Sequence, residues 1–116
     1  MQNLFYLIGR LTDDVKVIET EEGKKHSYIT VAVQRSYKNT EGIYESDFID
    51  VNLWNGIAQN VAEYCKRGDL IGIKGRIEET SYEKDGETIH KTNLVADKIS
   101  FLSATKNKTN DDKEIE

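Results

Sequence analysis

The sequence predicts a small all-β domain with a single helix set among its strands. Three observations carry that expectation. Short runs rich in Val, Ile, Thr, Tyr and Phe recur between stretches rich in Gly, Asn, Asp and Glu. Two of the runs alternate apolar and polar residues with period two, as half-buried strands do. The chain has 116 residues, 37% of them apolar and 32% charged, which leaves room for one core and not for two. By size scaling, such a chain should bury roughly two-thirds of the surface its unfolded state exposes, so the core closes without disulfides or metal.

The first strand is expected from Leu4 to Leu11. The second, Ser27 to Arg35, puts Ile29, Val31 and Val33 on one face and Thr30, Ala32 and Gln34 on the other. The third, Phe48 to Trp54, turns Ile49, Val51 and Leu53 to a common face. A helix follows at about Gly56 to Lys66, with Asn55 as its expected N-cap. Its narrow apolar stripe of Ile57, Val61 and Tyr64/Cys65 suits a lid over one end of a barrel. Lys66 and Arg67 are placed in the last turn, where they complement the helix dipole, and Gly68 is read as the stop.

The fourth strand runs from Leu70 into Tyr82, and Asp85-Gly86 reads as a two-residue hairpin turn. That turn sets Lys84 opposite Glu87 and Tyr82 opposite Ile89, on a returning strand that reaches about Leu102. From Ala104 to Glu116 no large apolar cluster remains, and a disordered, acidic tail is expected. Five strands with one helix between the third and fourth is the connectivity of the OB-fold, a partly open Greek-key barrel that hosts oligonucleotide and oligosaccharide binding alike.

Composition excludes several classes. With one cysteine, Cys65, and two histidines, His26 and His90, there is neither an internal disulfide nor a zinc-ligand spacing, and no metal or cofactor is expected. Neither a long apolar span nor a leader-like segment is visible, which points to a reducing, cytoplasmic setting. An enzyme finds little support: no Gly-rich phosphate loop precedes the helix, and Glu78 and Glu79 point to opposite faces. The net charge is −5, and residues 1–103 hold 13 basic against 17 acidic side chains, so any cationic surface must be local.

The informative residues stand on the face opposite the aliphatic one. Phe48 and Trp54 share a parity with Asp50 and Asn52, and Tyr82 travels with Lys74, Arg76 and Thr80. Exposed rings interleaved with cations are what single-strand recognition uses, since bases stack on rings and cations meet phosphates. Pattern alone leaves a second reading open for each. Phe48 and Trp54 at strand ends are equally compatible with a lid over the barrel mouth, and Tyr82 with a simple cross-strand pair to Ile89. Tyr37, between Arg35 and Lys38, has the parity of the buried face, so outward orientation requires a bend or bulge.

The strings Leu7-Ile8-Gly9-Arg10-Leu11-Thr12, Ile29-Thr30-Val31-Ala32-Val33, Asp47-Phe48-Ile49-Asp50-Val51, Trp54 with Asn60-Val61-Ala62-Glu63-Tyr64, and Lys66-Arg67-Gly68-Asp69-Leu70-Ile71 together resemble the bacterial single-stranded DNA-binding protein family over about residues 3–102. The resemblance implies an OB-fold protomer, usually a homotetramer, that binds single-stranded DNA with little sequence preference. It also implies that the family's stacking positions fall on Tyr37, Phe48, Trp54 and Tyr82, with Tyr or Phe replacing tryptophan at three of them.

Departures from the family pattern thin the basic track: Leu4 and Ile57 stand where many members carry a cation, and Asp50 lies beside the platform. The phosphate-binding candidates are Arg10, Arg35, Lys38, Lys74, Arg76 and Lys84, of which Arg10 and Arg76 also read as balancing nearby acids. The tail ends Asp-Asp-Lys-Glu-Ile-Glu instead of the family's Ile-Pro-Phe, with Asp111, Asp112, Glu114 and Glu116 as candidates for contacting replication or repair proteins. The function expected is non-enzymatic binding and protection of single-stranded DNA in replication, repair or recombination. An OB-fold protein-interaction module with weak or no DNA binding is the alternative.

Overall fold

A computed structural model describes residues 1–103. Its strands are β1 (Phe5–Leu11), β2 (Ile18–Glu19), β3 (Lys25–Lys38), β4 (Tyr44–Trp54), β5 (Leu70–Lys84) and β6 (Glu87–Ser103), with the helix α1 (Asn55–Tyr64) between β4 and β5. They form one sheet in the order β1-β5-β6-β4-β3-β2, which closes on itself where β1 also pairs with β3. Five long strands thus make the OB-fold barrel, and β2 is a two-residue addition that the sequence reading did not anticipate.

Closure is thin at two seams. β1 meets β3 only through Arg10 opposite Ala32 and Leu11 opposite Val31, and β4 meets β6 in parallel at Asn52 and Val95. Glycine permits the tightest approaches around these seams. A Cβ on Gly75 would lie 2.0 Å from the Val95 carbonyl oxygen, and one on Gly9 would lie 2.6 Å from that of Ala32.

The core is the aliphatic face of the alternating strands. Ile29, Val31, Val51, Leu53, Ile71 and Ile73 are buried, with Leu11 and Ala96 beside them. Val33 and Ile49 pack against this core from half-buried positions, whereas Ile77 is exposed because β5 has by then left the barrel. From Arg76 to Lys84 every residue of β5 is exposed, so β5 and β6 project as a hairpin arm. The expected pairs Lys84–Glu87 and Tyr82–Ile89 are both present, and Asp85 and Gly86 have φ of 51° and 81°, as a type I′ turn requires.

The helix corrects the sequence reading in four respects. Its N-cap residue is Trp54, with no side-chain cap; Asn55 is inside the helix at φ 53° and accepts a hydrogen bond from the Lys25 amide through Oδ1 at 3.2 Å. The helix ends at Tyr64, so Lys66 and Arg67 lie beyond its last turn and do not face its dipole. Gly68 therefore does not stop it. With φ 92°, Gly68 shapes the turn into β5, which is held when the Lys66 amide donates to Asp69 Oδ2 at 2.8 Å and the Gly68 amide to the Leu11 carbonyl. The buried stripe is Ala58, Val61 and, just past the helix, Cys65, while Tyr64 is exposed beside Phe101. The tail from residue 104 onward lies outside the described residues. Among the described residues no helix is long and apolar enough to cross a membrane.

Candidate nucleic-acid interface

Period-two alternation on β3 and β4 sends one residue of each pair inward and the next outward. The outward set runs as cross-strand pairs: His26 with Trp54, Tyr28 with Asn52, Thr30 with Asp50, Ala32 with Phe48. Phe48 is 69% exposed, because the residue opposite it is an alanine that cannot cover its ring. Trp54 is 37% exposed and leans on His26, with ring centroids 4.3 Å apart and planes at 38°. Both rings stand on the outer wall, which removes the lid reading for Phe48 and leaves Trp54 half covered by its neighbour.

Tyr37 and Tyr82 sit on two arms that leave the barrel. The β3–β4 register slips between Gln34 and Lys38, the irregularity that an outward Tyr37 required, and this ring is 62% exposed. Tyr82 is 51% exposed on the β5–β6 arm, opposite Ile89. The fold therefore brings Phe48 and Trp54 onto one face and holds Tyr37 and Tyr82 out on separate hairpins.

The six expected cations divide by what already holds them. Arg35 forks onto Asp47, with Nη2 to Oδ1 at 2.8 Å, and its Nη1 reaches Glu45 at 3.1 Å. The hydrogen bond from Arg35 lowers the Asp47 carboxyl below its ordinary range and raises the guanidinium further. Arg76 is likewise gripped by Glu78 at 2.7 Å and by Asp97. Arg10 donates to the Gly68 carbonyl at 3.0 Å and so pins the turn before β5, not an acid as expected. Lys38 lies 5.6 Å from the Tyr44 ring centroid. Lys74 is exposed on the barrel wall and Lys84 at the arm's tip, neither in an ion pair among the described residues.

Two residues that the sequence reading passed over belong to this face. His26 braces Trp54 and is itself held by Asn52, whose Oδ1 is 2.9 Å from Nε2 and whose Nδ2 donates to the Leu94 carbonyl at 3.3 Å. Tyr28, 52% exposed, donates from Oη to Asp50 Oδ2 at 3.1 Å, and Thr30 donates to Asp50 Oδ1 at 2.5 Å. Burial, then the hydrogen bond and charge of Asp50, push the Tyr28 phenol up. The signal for Tyr28 was its parity, which it shares with Thr30, Ala32 and Gln34. Candidates Asp111, Asp112, Glu114 and Glu116 lie outside the described residues.

Comparison with known proteins gives the same answer three ways. The profile of the Single-strand binding protein family matches residues 2–102. The chain is 40% identical over 103 residues to single-stranded DNA-binding protein B of Bacillus subtilis, covering 88% of this chain and 91% of that one. It is 42% identical over 111 residues to single-stranded DNA-binding protein 4 of Streptococcus agalactiae, covering 95% and 80%. A crystal structure of a deletion mutant of the single-stranded DNA binding protein from Thermus aquaticus superposes with a TM-score of 0.73 at 26% identity. That match covers 90% of this chain and about half, 52%, of the other.

Proposed function

This chain belongs to the single-strand binding protein family, and on that footing we propose that it binds single-stranded DNA, without catalysis and with little regard to base order. The observation that carries the reading is the outer wall of β3 and β4, where Phe48 and Trp54 offer ring faces to solvent beside a barrel whose core does not need them. Bases of any identity stack on such rings at about 1–3 kcal/mol each. Tyr37 and Tyr82 on their arms extend the stacking path, and Lys38, Lys74 and Lys84 supply phosphate contacts. Arg35 and Arg76 contribute less, since carboxylates already hold them, and Arg10 gives one of its donors to the Gly68 carbonyl.

The binding domain spans residues 1–103, and its role is to coat strands exposed in replication, repair or recombination in the bacterial cytoplasm. The acidic residues from Asp111 to Glu116 serve as a contact for replication or repair proteins. Assembly as a homotetramer is supported by a stripe of exposed apolar residues, Leu4 just before β1 and Tyr6 and Ile8 on its outside, with Leu102 alongside. A stripe of this kind on a monomer's surface marks a contact. Light scattering gives the mass directly, and a monomeric protein at micromolar concentration would end the tetramer reading.

Competition tests the function. Labelled oligo-dT bound to the protein should be displaced by unlabelled single strands and spared by duplex, because no groove-reading element stands out among the described residues. Equal displacement by duplex contradicts the reading. No binding of oligo-dT at low salt and micromolar protein turns the assignment to the protein-interaction module.

A further inference from the structure

We propose that Tyr28, with Lys91 at its side, forms a further base-stacking subsite on the outer wall, between Trp54 and Phe48. The inference rests on the single-strand reading above and places a fifth aromatic in the binding path.

Spacing gives the first reason. Trp54 and Phe48 are six residues apart on β4, about 20 Å at the rise of a strand, and the bases of a stacked strand follow one another at about 3.4 Å. Several nucleotides therefore lie between the two rings. Tyr28 is paired with Asn52, two residues from the level of Trp54 and four from that of Phe48, so its ring lies in that interval. It shares their face and is half exposed, with no core role.

Charge gives the second. Asp50 occupies the middle of the wall and repels a phosphodiester laid across it. Its two oxygens are taken by the hydroxyls of Tyr28 and Thr30, so the carboxylate is fixed in place and Tyr28 is fixed with it. A strand crossing this wall keeps its bases inward and its phosphates to the flank. Lys91 of β6 reaches over the Tyr28 ring, its Nζ 6.0 Å from the centroid and in no ion pair among the described residues, so its flexible stem brings it to the phosphate at the flank once a base takes the ring face. A ring for the base and an ammonium beside it for the phosphate are the two parts of a single-strand subsite.

Fluorescein-labelled oligo-dT, titrated with the full chain and read by anisotropy, tests this. Tyr28→Ala should weaken binding about 5- to 150-fold while the thermal midpoint stays within a few degrees. Tyr28→Phe, which keeps the ring and drops the bond to Asp50, should bind within about twofold of the wild type. Lys91→Gln should make the slope of log K against log salt shallower by about 0.7, the share of one phosphate.

Wild-type affinity in Tyr28→Ala overturns the subsite and leaves DNA binding intact. Equal losses in the Ala and Phe variants overturn it too, since the hydroxyl's hold on Asp50 would then be what matters. Should Tyr28→Ala fail to fold, the Phe variant and the Lys91→Gln slope decide, and an unchanged slope counts against the proposal. Failure of the wild type itself to bind oligo-dT overturns the single-strand reading instead.

Discussion

His26 and Trp54 face each other across β3 and β4 with ring centroids 4.3 Å apart, so the chain's one tryptophan is neither a free platform nor a core residue. Its outer face can take a base, while its inner face is fixed by a histidine that Asn52 holds in turn. Emission from Trp54 should therefore be quenched when oligo-dT is added. Trp54→Ala should weaken binding by about 1–3 kcal/mol. It should lower stability by about 1 kcal/mol, through lost packing on His26, well short of the 3–5 kcal/mol that a core aromatic costs. Unquenched emission together with a large fall in the thermal midpoint would mean that the indole serves the fold alone.

Salt dependence should be shallow. Arg35 and Arg76 are already neutralised by carboxylates, which leaves three or four cations per protomer for phosphates. At about 0.7 per phosphate on a single strand, the slope of log K against log salt comes to roughly −2 to −3 per protomer. Lys74→Gln should remove about 0.7 of that slope, and Arg35→Gln should leave it unchanged. A loss of slope on replacing Arg35 would show that DNA breaks its grip on Asp47.

What the sequence made legible follows from period two. Inward and outward residues of β3 and β4 could be assigned from parity, because the barrel buries one face of each strand and solvent takes the other; for Phe48, at a strand end, parity left platform and lid equally open, and the alanine opposite it decides for exposure. Parity fails where that condition fails. Ile77 has the inward parity yet is exposed, since the β5–β6 arm has no barrel behind it. The helix end was misplaced for a different reason: the amides of Arg67 and Gly68 go to Asp14 and to Leu11 of β1, tertiary partners that no local propensity encodes, while Lys66 and Asp69 close a turn on each other. His26 escaped notice because its role depends on Trp54, 28 positions away and adjacent only by register.

The Arg35–Asp47 pair sets a pH response. Its hydrogen bond lowers the Asp47 carboxyl, so whatever the pair adds to stability is complete above the ordinary carboxylate range and is lost as pH falls through the lowered folded-state value. In an NMR titration the Asp47 carboxyl carbon should therefore have its midpoint below that of an ordinary aspartate. Arg35→Gln should bring the midpoint back up. An ordinary midpoint in the wild type would show that the fork does not persist in solution.

Cys65 should be inert. It is buried under the barrel end, and burial, helped by the charge of Asp69, pushes its thiol up to about 11. Ellman's reagent at pH 8 should leave the native protein largely unmodified and react promptly after addition of urea. Prompt reaction of the native chain would mean that the helix and the turn to β5 open readily.

Ser27 presents the opposite case, a polar atom whose removal should help. It lies on the inward face of β3 opposite Leu53, it is 1% exposed, and its Oγ has no hydrogen-bond partner among the described residues. A buried hydroxyl without a partner carries a desolvation penalty of about 1–3 kcal/mol. Ser27→Ala removes that penalty and keeps the β-carbon, at the cost of the few van der Waals contacts the oxygen makes. The balance favours the variant, and its thermal midpoint should equal or exceed that of the wild type. Tyr28 next in the chain points to the opposite face, so DNA affinity should not move. A clear fall in the midpoint would show that the hydroxyl is satisfied in solution by a buried water, as polar sites inside proteins commonly are.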